Sequence, residues 1–309
     1  MIPKRIFYVW FGGKKPSMVN ICIQNWREKL PGYEIIELNE HSSYFDFSKA
    51  YKECLWFKMV YDRKMWAYVA DYVRCQALYE HGGVYFDTDI TVVKDISSLL
   101  NDNFFAGYED EKCFNGAVMG CVKYHKFMKD MLDFYHNEIF KSPLYTIPTI
   151  MTELYSRNQY SDVKLYAPEY FYPFNPFADN KETFTPECIK ENTHTIHWWN
   201  ASWVKPDVLF FLENKHKYTP QELEQQQYHA FKSVCLFNLL PIAKYYTNTH
   251  EVCICGVPVF TKISDKNKNI VTDIRLFKHI PFWKVRQKTG SKKYYLFGIP
   301  VLKTICKIN

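Results

Sequence analysis

The sequence lacks three features that would indicate a membrane, secreted or zinc-ribbon protein. No hydrophobic run of its 309 residues is long enough to span a membrane, and no apolar signal region follows Met1. The ten cysteines show no repeated metal-binding spacing, and Cys253 and Cys255 are separated by one residue rather than the two or more of zinc sites. These absences favour a cytosolic protein with free thiols.

Charge is unevenly distributed along the chain. The formal net charge is +6. From Cys253 onward, twelve Lys and Arg residues stand against Asp265 and Asp273, whereas the preceding part is net acidic. We therefore predict a domain over residues 1–250 and a basic extension over residues 251–309. No nucleic-acid recognition motif accompanies the charge, so an anionic membrane surface and a solvated tail remain the two interpretations.

The segment from Trp66 to Ala77 has the periodicity of a core-facing helix. Its apolar residues recur at intervals of three and four, and Asp71 and Arg74 lie one turn apart beside that stripe. Gly82–Gly83 then supplies a stop that needs no Cβ atom. A charged pair in this position is either a local ion pair or a pair of side chains that reach into a site.

The helix is followed by the β-type run Val84–Asp89. In a strand, Asp87 and Asp89 would lie on one face, and Phe86 and Thr88 on the other. Two like charges on one face repel each other unless a cation lies between them. A divalent metal ion with oxygen ligands is the simplest candidate.

Strands and helices alternate at the start of the chain. Arg5–Phe11 is an apolar run typical of a buried parallel strand, and Gly12–Gly13 ends it. Ser17 to Leu30 keeps helical spacing, and Tyr33–Leu38 alternates as a strand. With 47% hydrophobic residues, the chain can bury a substantial core. This order predicts an α/β fold with a mainly parallel sheet flanked by helices.

The string from Ala70 to Asp89 resembles the sugar-binding region of the DxD glycosyltransferases. The resemblance is to sequence family 32, which contains bacterial capsular and lipopolysaccharide glycosyltransferases and fungal α-mannosyltransferases, and whose core is shared with the glucosylating clostridial toxins. It covers about the first two hundred residues. It implies a GT-A fold, a Rossmann-like arrangement with a mainly parallel sheet, to which the basic extension is added.

A second string, from His194 to Trp203, resembles the His-x-x-x-x-Ser-Trp ending of these glycosyltransferase domains. The resemblance implies that His197 helps to hold the metal ion and that Ser202 and Trp203 contact the diphosphate. His194 falls outside the matched pattern, so we interpret it as structural.

The resemblance also implies roles for the acidic strings. Asp89 and His197 are expected to hold Mn²⁺ or Mg²⁺, and Asp87 to face the ribose and sugar of the donor. Asp71 and Arg74 are expected to hold sugar hydroxyl groups, and the planar guanidinium group also suits the leaving diphosphate.

The first strand resembles the nucleotide-binding start of the same families. The resemblance places Val9, Trp10 and Tyr85 at the donor, with the Trp10 ring against the base. Trp10 as a plain core residue is the competing interpretation.

The implied function is that of a retaining, metal-dependent hexosyltransferase. Its donor would be a nucleotide sugar, with a UDP-sugar favoured, and its acceptor a growing surface polysaccharide or a lipid-linked glycan. Golgi relatives carry an amino-terminal anchor, and this sequence shows no such apolar segment. We therefore expect a cytoplasmic bacterial enzyme that is peripheral on the inner face of the cytoplasmic membrane. Asp87-Thr88-Asp89 also fits a haloacid-dehalogenase-type phosphohydrolase, and a non-catalytic binding protein is the third interpretation.

Two further patterns concern the carboxyl-terminal part. Gln221 to Tyr246 has the pattern of a long helix that Pro241 would end or kink. Three later segments repeat an apolar-Pro-apolar motif followed by Lys, which suggests hairpins or peripheral segments. These segments are Gly256–Lys262, His279–Lys284 and Gly298–Lys303.

Overall fold

The computed structural model divides into two compact units, Met1–Leu223 and Glu224–Asn309. The residues that it describes are all except 112, 159, 179, 201–205, 226–230, 237–239, 247–250, 255–256, 266–269, 277–279, 289–290, 298 and 306–309. Among the helices of these described residues, none is long and apolar enough to cross a membrane.

The first unit alternates strands and helices through most of its length. Its elements are β1 (Arg5–Val9), α1 (Ser17–Lys29), β2 (Glu34–Leu38), α2 (Phe47–Glu53), α3 (Leu55–Asp62), α4 (Trp66–His81), β3 (Gly83–Phe86), β4 (Ile90–Val92), β5 (Phe104–Tyr108), β6 (Phe114–Cys121), α5 (Lys126–Asp133), α6 (Ile147–Arg157), β7 (Val163–Tyr166), β8 (Thr195–His197), α7 (Pro206–Asn214) and α8 (Pro220–Gln225), the last of which continues two residues past the division.

Six strands form the central sheet, in the order β2-β1-β3-β6-β5-β7. Strand β1 is parallel to β2 and β3, and β5 is parallel to β7, whereas β6 is antiparallel to both of its neighbours. The predicted α/β fold with a mainly parallel sheet is therefore confirmed. The first βαβ unit and the α4 helix are also where the sequence predicts them.

Helix α1 packs on the sheet through its apolar stripe. Trp26 is fully buried, and its Nε1 donates to the Ile90 carbonyl at 2.7 Å. Its ring makes edge contacts with Tyr8 of β1 and Phe86 of β3. One indole thus connects β1, β3 and the segment that follows β3, which fixes the place where β3 ends.

Glycine is required where α4 turns into β3. Gly82 has a φ of +66°, and a Cβ atom there would lie 2.7 Å from the Lys123 backbone nitrogen. Any larger residue would collide with backbone, so the predicted helix stop has a steric cause.

The acidic pair does not lie in a strand, contrary to the sequence prediction. Strand β3 ends at Phe86, and the Ile90 amide donates to the Asp87 carbonyl at 3.1 Å to close a turn. The Asp87 amide makes a last bond to the Ala117 carbonyl at 2.8 Å, beyond which the chain leaves the sheet. Aspartate is unfavourable in strands and tolerates turns, so Asp87 and Asp89 come together across a turn.

A separate two-stranded antiparallel ribbon follows this turn. Strand β4 pairs with β8, and Ile90 lies opposite His197. The pairing joins segments that are more than a hundred residues apart in the chain, and it brings the second predicted string beside the first.

The second unit is a sheet of eight antiparallel strands in sequential order. They are β9 (Phe231–Leu236), β10 (Leu240–Tyr246), β11 (Glu251–Ile254), β12 (Val257–Asp265), β13 (Ile270–Leu276), β14 (Ile280–Lys288), β15 (Ser291–Leu296) and β16 (Ile299–Ile305). The three repeated segments begin β12, β14 and β16, so the hairpin interpretation is confirmed.

The long helix predicted over Gln221–Tyr246 is wrong. Helix α8 ends at Gln225, and two strands, Phe231–Leu236 and Leu240–Tyr246, pair with each other. A short apolar run fits the helical period and the strand period equally well, and here the hydrogen bonds to a partner strand stabilise the strand.

The division into two units falls after Leu223, before the predicted boundary at residues 250/251. Strands β9 and β10 pair into the same sheet as the later strands.

Candidate active site

The carboxyl ends of β3 and β8 place three potential metal ligands together. One ligand atom each from Asp87, Asp89 and His197 lies within 4.8 Å of the others. The Trp198 amide donates to the Asp89 carbonyl at 3.0 Å, which extends the β4–β8 pairing to this point. Two carboxylates and an imidazole suit Mn²⁺, whereas Mg²⁺ would rely on the carboxylates.

Asp89, His197 and Asn200 form what we call the Asp89 cluster. The His197 Nε2 atom is 3.3 Å from the Asp89 Oδ1 atom, and the Asn200 amide donates to Oδ2 at 2.8 Å. Burial opposes ionisation of Asp89, but the hydrogen bond and charge of His197, helped by the Asn200 amide, leave its pKa below the usual value. Asp89 is therefore an anion that can bind a cation at neutral pH.

The His197 ring is held by aromatic neighbours. Its centroid is 4.3 Å from that of Trp199 and 5.8 Å from that of Tyr172. Its Nδ1 atom is buried and has no hydrogen-bond partner among the described residues. The ring is thus oriented by packing, with Nε2 directed at Asp89 and the acidic turn.

Asp71, Arg74, Tyr85 and Asp87 form a second group, which we call the Arg74 cluster. One Arg74 nitrogen, Nη2, lies 2.9 Å from Asp71 Oδ1 and 3.1 Å from Asp87 Oδ1. The guanidinium group lies 4.3 Å from the Tyr85 ring centre, and Nη1 donates to the Gly116 carbonyl at 2.9 Å. Helix α4 and the turn after β3 thus present their charges to each other at the sheet edge.

Two carboxylates share one guanidinium group in this cluster. The Arg74 side chain is 5% exposed and the Asp71 side chain 10%. Burial raises the pKa of Asp71 to about 7, Arg74 opposes this shift and Asp87 adds to it. The pKa of Arg74 is raised by Asp87, Tyr85 and Asp71 although burial opposes its charge. Arg74 is permanently charged, and Asp71 is the carboxyl group of the cluster that binds a proton most readily.

Tyr85 lies behind Asp87. Its hydroxyl group donates to Asp87 Oδ1 at 2.7 Å, and the residue is 1% exposed. Val9 is also buried. The structure therefore places the side chains of these two predicted donor-binding residues in the core, where Tyr85 orients Asp87.

Trp10 is placed differently. It follows β1 at the carboxyl edge of the sheet and is half-buried, and its Nε1 donates to the Gly13 carbonyl at 2.8 Å. Part of its ring surface remains available. Ser202 and Trp203, the two residues predicted to contact the diphosphate, lie outside the described residues.

The sequence reasoning missed the start of β6. The Asn115–Ala117 segment binds Arg74 through the Gly116 carbonyl and Asp87 through the Ala117 carbonyl. The Asn115 side chain also holds Glu109, with its Nδ2 atom 2.7 Å from Glu109 Oε2. A signal was present, because an asparagine and a glycine interrupt an otherwise apolar strand.

Comparisons with known proteins agree with this site. A family profile described as a glycosyltransferase sugar-binding region containing a DXD motif matches residues 16–106. The human lactosylceramide 4-alpha-galactosyltransferase is 27% identical over 152 residues, which cover 43% of this chain and 41% of that protein. The uncharacterized glycosyltransferase L373 of Acanthamoeba polyphaga mimivirus is 24% identical over 231 residues, which cover 70% of this chain and 90% of that protein.

Among solved structures, the PaToxG glycosyltransferase has 20% sequence identity and a TM-score of 0.40, and the match covers 50% of this chain and 68% of that one. The chain spans about two fifths of the human relative that it matches. The profile match includes the complete α4–β3 string, and the phosphohydrolase interpretation is not favoured. Residues 16–106 of the chain therefore match a glycosyltransferase sugar-binding region that contains a DXD motif, and the viral relative that matches over 231 residues is itself named a glycosyltransferase.

Proposed function

We propose that this chain is a retaining, metal-dependent glycosyltransferase that transfers a hexose from a nucleotide sugar to a hydroxyl group of a glycan. The observation that carries the proposal is the convergence of Asp87, Asp89 and His197 on one turn, directly beside the buried Arg74. The Asp87 carboxylate therefore lies between the two proposed metal ligands, Asp89 and His197, on one side and the guanidinium group of Arg74 on the other.

Asp89 and His197 are the protein ligands of the proposed metal ion. Asp87 is close enough to join them, since its ligand atom lies in the same 4.8 Å group. A bound Mn²⁺ or Mg²⁺ ion supplies Lewis-acid stabilisation of the departing diphosphate. The ion-pair geometry supports this assignment, because Asp89 is ionised and faces the imidazole.

The Arg74 cluster binds and orients the donor sugar in this proposal. The Asp87 Oδ1 atom already accepts a hydrogen bond from Tyr85 and forms an ion pair with Arg74, which leaves Oδ2 for a sugar or ribose hydroxyl group. Asp71 presents a second acceptor beside it. Carboxylates that are fixed by the protein before binding lose little freedom when they bind a hydroxyl group, which favours orientation of the anomeric carbon.

Retention of configuration follows the family resemblance and is supported by the geometry of the acidic residues. Asp71 and Asp87 both contact Arg74, which lowers their nucleophilicity. A front-face reaction, in which a departing phosphate oxygen takes the acceptor proton, needs no carboxylate nucleophile. Isolation of a glycosyl adduct on either carboxylate would contradict this proposal.

The donor is proposed to be a UDP-sugar and the acceptor a sugar hydroxyl group of a surface or lipid-linked glycan. The name of the human relative contains galactosyl and lactosylceramide, which adds UDP-galactose and lactose to the probes worth using.

The test is donor turnover in the absence of acceptor. Purified protein is incubated with Mn²⁺ and a panel of UDP- and GDP-sugars, and the released nucleotide is measured with and without a chelator. The proposal expects one donor to be hydrolysed and hydrolysis to stop on chelation. Release of phosphate from simple phosphoesters without turnover of any nucleotide sugar would contradict it.

Membrane association of the basic extension is a separate part of the proposal. Twelve cationic residues from Cys253 onward support it, since each contributes roughly 1 kcal/mol near anionic headgroups. Co-sedimentation with phosphatidylglycerol vesicles that is absent with phosphatidylcholine vesicles is the expected result. Equal recovery with both would contradict it.

A further inference from the structure

Glu109 is an acidic side chain at the sheet edge that the proposed function does not use. It directly follows β5, and its amide donates to the Cys113 carbonyl at 2.9 Å, which closes the turn into β6. Its Oε2 atom accepts a hydrogen bond from Asn115 Nδ2 at 2.7 Å. The carboxylate is therefore held by the neighbouring strand and does not sample the positions of a free surface side chain.

A continuous series of hydrogen bonds joins Glu109 to the DXD turn. The Asn115 Oδ1 atom accepts from the Ala117 amide at 2.8 Å, and the Ala117 carbonyl accepts from the Asp87 amide at 2.8 Å. Burial raises the pKa of Glu109, and His197 acts in the opposite direction, so the imidazole lies within electrostatic range of it. Glu109 thus belongs to the same polar group as the proposed metal ligands.

The position of Glu109 along the sheet edge indicates which substrate it faces. The strands follow the order β1, β3, β6, β5 across this edge. Trp10 follows β1 and Asp87 follows β3, so a donor that stacks on Trp10 and reaches Asp87 extends from β1 toward β3. Glu109, at the end of β5, lies further along the same direction. It is therefore beyond the donor sugar, where the attacking hydroxyl group enters.

One oxygen of the Glu109 carboxylate remains for a ligand. Asn115 occupies Oε2, and among the described residues no hydrogen bond to Oε1 is present. The residue is half-buried, so part of its surface is accessible to a ligand. An ionised carboxylate only accepts hydrogen bonds, and sugar hydroxyl groups are its natural donors.

We propose that Glu109, oriented by Asn115, accepts a hydrogen bond from a hydroxyl group of the acceptor sugar and so determines which acceptor is glycosylated. This assignment rests on the proposed glycosyltransferase function. A site built to bind a hydroxyl group rejects an analogue that lacks it, because the buried polar partner is then left unpaired. Glu109 is accordingly an acceptor-specificity residue, distinct from the donor-binding Asp71 and Asp87.

The experiment compares Glu109→Gln with wild-type protein in two assays. The first is donor hydrolysis without acceptor. The second is transfer to the best acceptor of a saccharide panel that includes methyl β-lactoside, and to the monodeoxy analogues of that acceptor. Hydrogen bonds to charged groups contribute about 10- to 100-fold in binding, so transfer by the variant is expected to fall by that factor. Donor hydrolysis is expected to stay within about twofold of wild type.

The deoxy analogues provide a readout that a structural role would not change. Wild-type protein should discriminate against one analogue by about tenfold or more, and Glu109→Gln should lose that discrimination. Glu109→Asp, which keeps the charge but shortens the side chain, should restore part of it. Glu111→Gln, in the same turn and exposed, is the matched control and should behave as wild type in both assays.

Two results would overturn the assignment while leaving the glycosyltransferase function intact. Equal loss of donor hydrolysis and transfer in Glu109→Gln would place Glu109 at the donor, and unchanged discrimination among the deoxy analogues would remove it from the acceptor. Absence of donor turnover in the wild-type protein would instead be a failure of the proposed function.

Discussion

The Arg74 cluster and the Asp89 cluster lie at the two ends of one short turn, and they are built differently. In the first, a guanidinium group with 5% exposure contacts two carboxylates, a tyrosine ring and a backbone carbonyl. In the second, one carboxylate faces an imidazole at 3.3 Å, and the other imidazole nitrogen is buried without a partner among the described residues. In the first cluster the protein itself supplies the cation that its carboxylates need, whereas in the second we expect a metal ion to supply it.

This difference suggests that the two clusters contribute unequally to the stability of the fold and to the activity of the site. Buried charges stabilise a fold only when they are paired, and loss of one partner is costly. The Asp89 side chain is 15% exposed and is bound by one imidazole and one backbone amide, so an isosteric replacement that keeps these contacts should cost little stability while a metal ligand is lost. We therefore expect substitutions in the Arg74 cluster to lower stability as well as activity, and substitutions in the Asp89 cluster to lower mainly activity.

The largest expected effect is that of Arg74→Met. The substitution leaves the buried Asp71 and the 28% exposed Asp87 without their common cation, so the free energy of unfolding should fall by about 3–5 kcal/mol in urea titrations. Arg157→Met is the matched control, because Arg157 also contacts two carboxylates, at 2.7 and 2.8 Å, but is exposed. It should lose no more than about 1 kcal/mol. Equal losses in the two variants would remove the distinction between the clusters.

Asp89→Asn should have the opposite profile. It removes the charged ligand of the proposed metal ion, and we expect donor turnover to fall by about 10²- to 10³-fold. The urea midpoint should change little, since Asn keeps the shape and an acceptor for the Asn200 amide. Asp133→Asn controls for general loss of charge, because the Asp133 side chain is 48% exposed on α5 and, among the described residues, pairs only with the equally exposed Lys129. A variant that unfolds as readily as Arg74→Met would show that Asp89 is structural.

The pH dependence of stability tests whether Asp71 of the Arg74 cluster is protonated in the folded protein. The folded-state pKa of Asp71 is about 7, above the usual aspartate pKa of 3.8, so the folded state binds more protons than the unfolded state between these values. This contribution to stability is complete below about pH 4 and is lost as the pH rises through 7. Asp71→Asn does not titrate, so its stability relative to wild type should increase by about 2–4 kcal/mol over that range.

Urea titrations of wild type and Asp71→Asn from pH 4 to 8 would measure this difference. A difference that does not vary with pH would show that Asp71 is ionised without cost, and that Arg74 satisfies both carboxylates. Donor turnover by the variant is a separate readout and should fall, because a sugar-binding acceptor is lost.

The smallest expected effect is that of Tyr85→Phe. It removes one hydroxyl group that donates to Asp87 at 2.7 Å and keeps the ring beside Arg74. Loss of a hydrogen bond to a charged group should lower the free energy of unfolding by about 1–2 kcal/mol and donor turnover by about tenfold. Unchanged turnover would mean that Arg74 alone orients Asp87.

The sequence predicted the parts of this site that depend on local pattern. The α4 stripe, the glycine stop and the acidic pair are encoded within one segment, and helical spacing was enough to place Asp71 beside Arg74. Asp87 and Asp89 were predicted on a strand and lie on a turn. The prediction that the two carboxylates lie close together was right, but the predicted strand was wrong. Two aspartates separated by one residue can approach each other across a turn as well as along one face of a strand.

The parts that could not be predicted depend on pairing between distant segments. The register that sets Ile90 opposite His197 is decided by hydrogen bonds between strands far apart in the chain. Without the family resemblance, no local signal connects them. The Asn115–Ala117 segment was missed for the same reason, since its partners Arg74 and Asp87 precede it by about thirty to forty residues.

The carboxyl-terminal sheet shows the same limit in another form. The apolar run around Phe231–Leu236 fits a helix and a strand equally well over its short length. Only its pairing with Leu240–Tyr246 distinguishes them. The repeated apolar-Pro segments were predicted as hairpins or peripheral segments because short apolar β-type segments flanked by Lys are a local signal.

The most direct test of the account is calorimetric titration of UDP into wild-type protein and Asp89→Asn, each with and without Mn²⁺. The account predicts that Mn²⁺ strengthens UDP binding at least tenfold in wild type and has no effect in Asp89→Asn, while both proteins unfold at the same urea concentration. Equal Mn²⁺ dependence in the two proteins would contradict the claim that the DXD turn is the metal-dependent donor site.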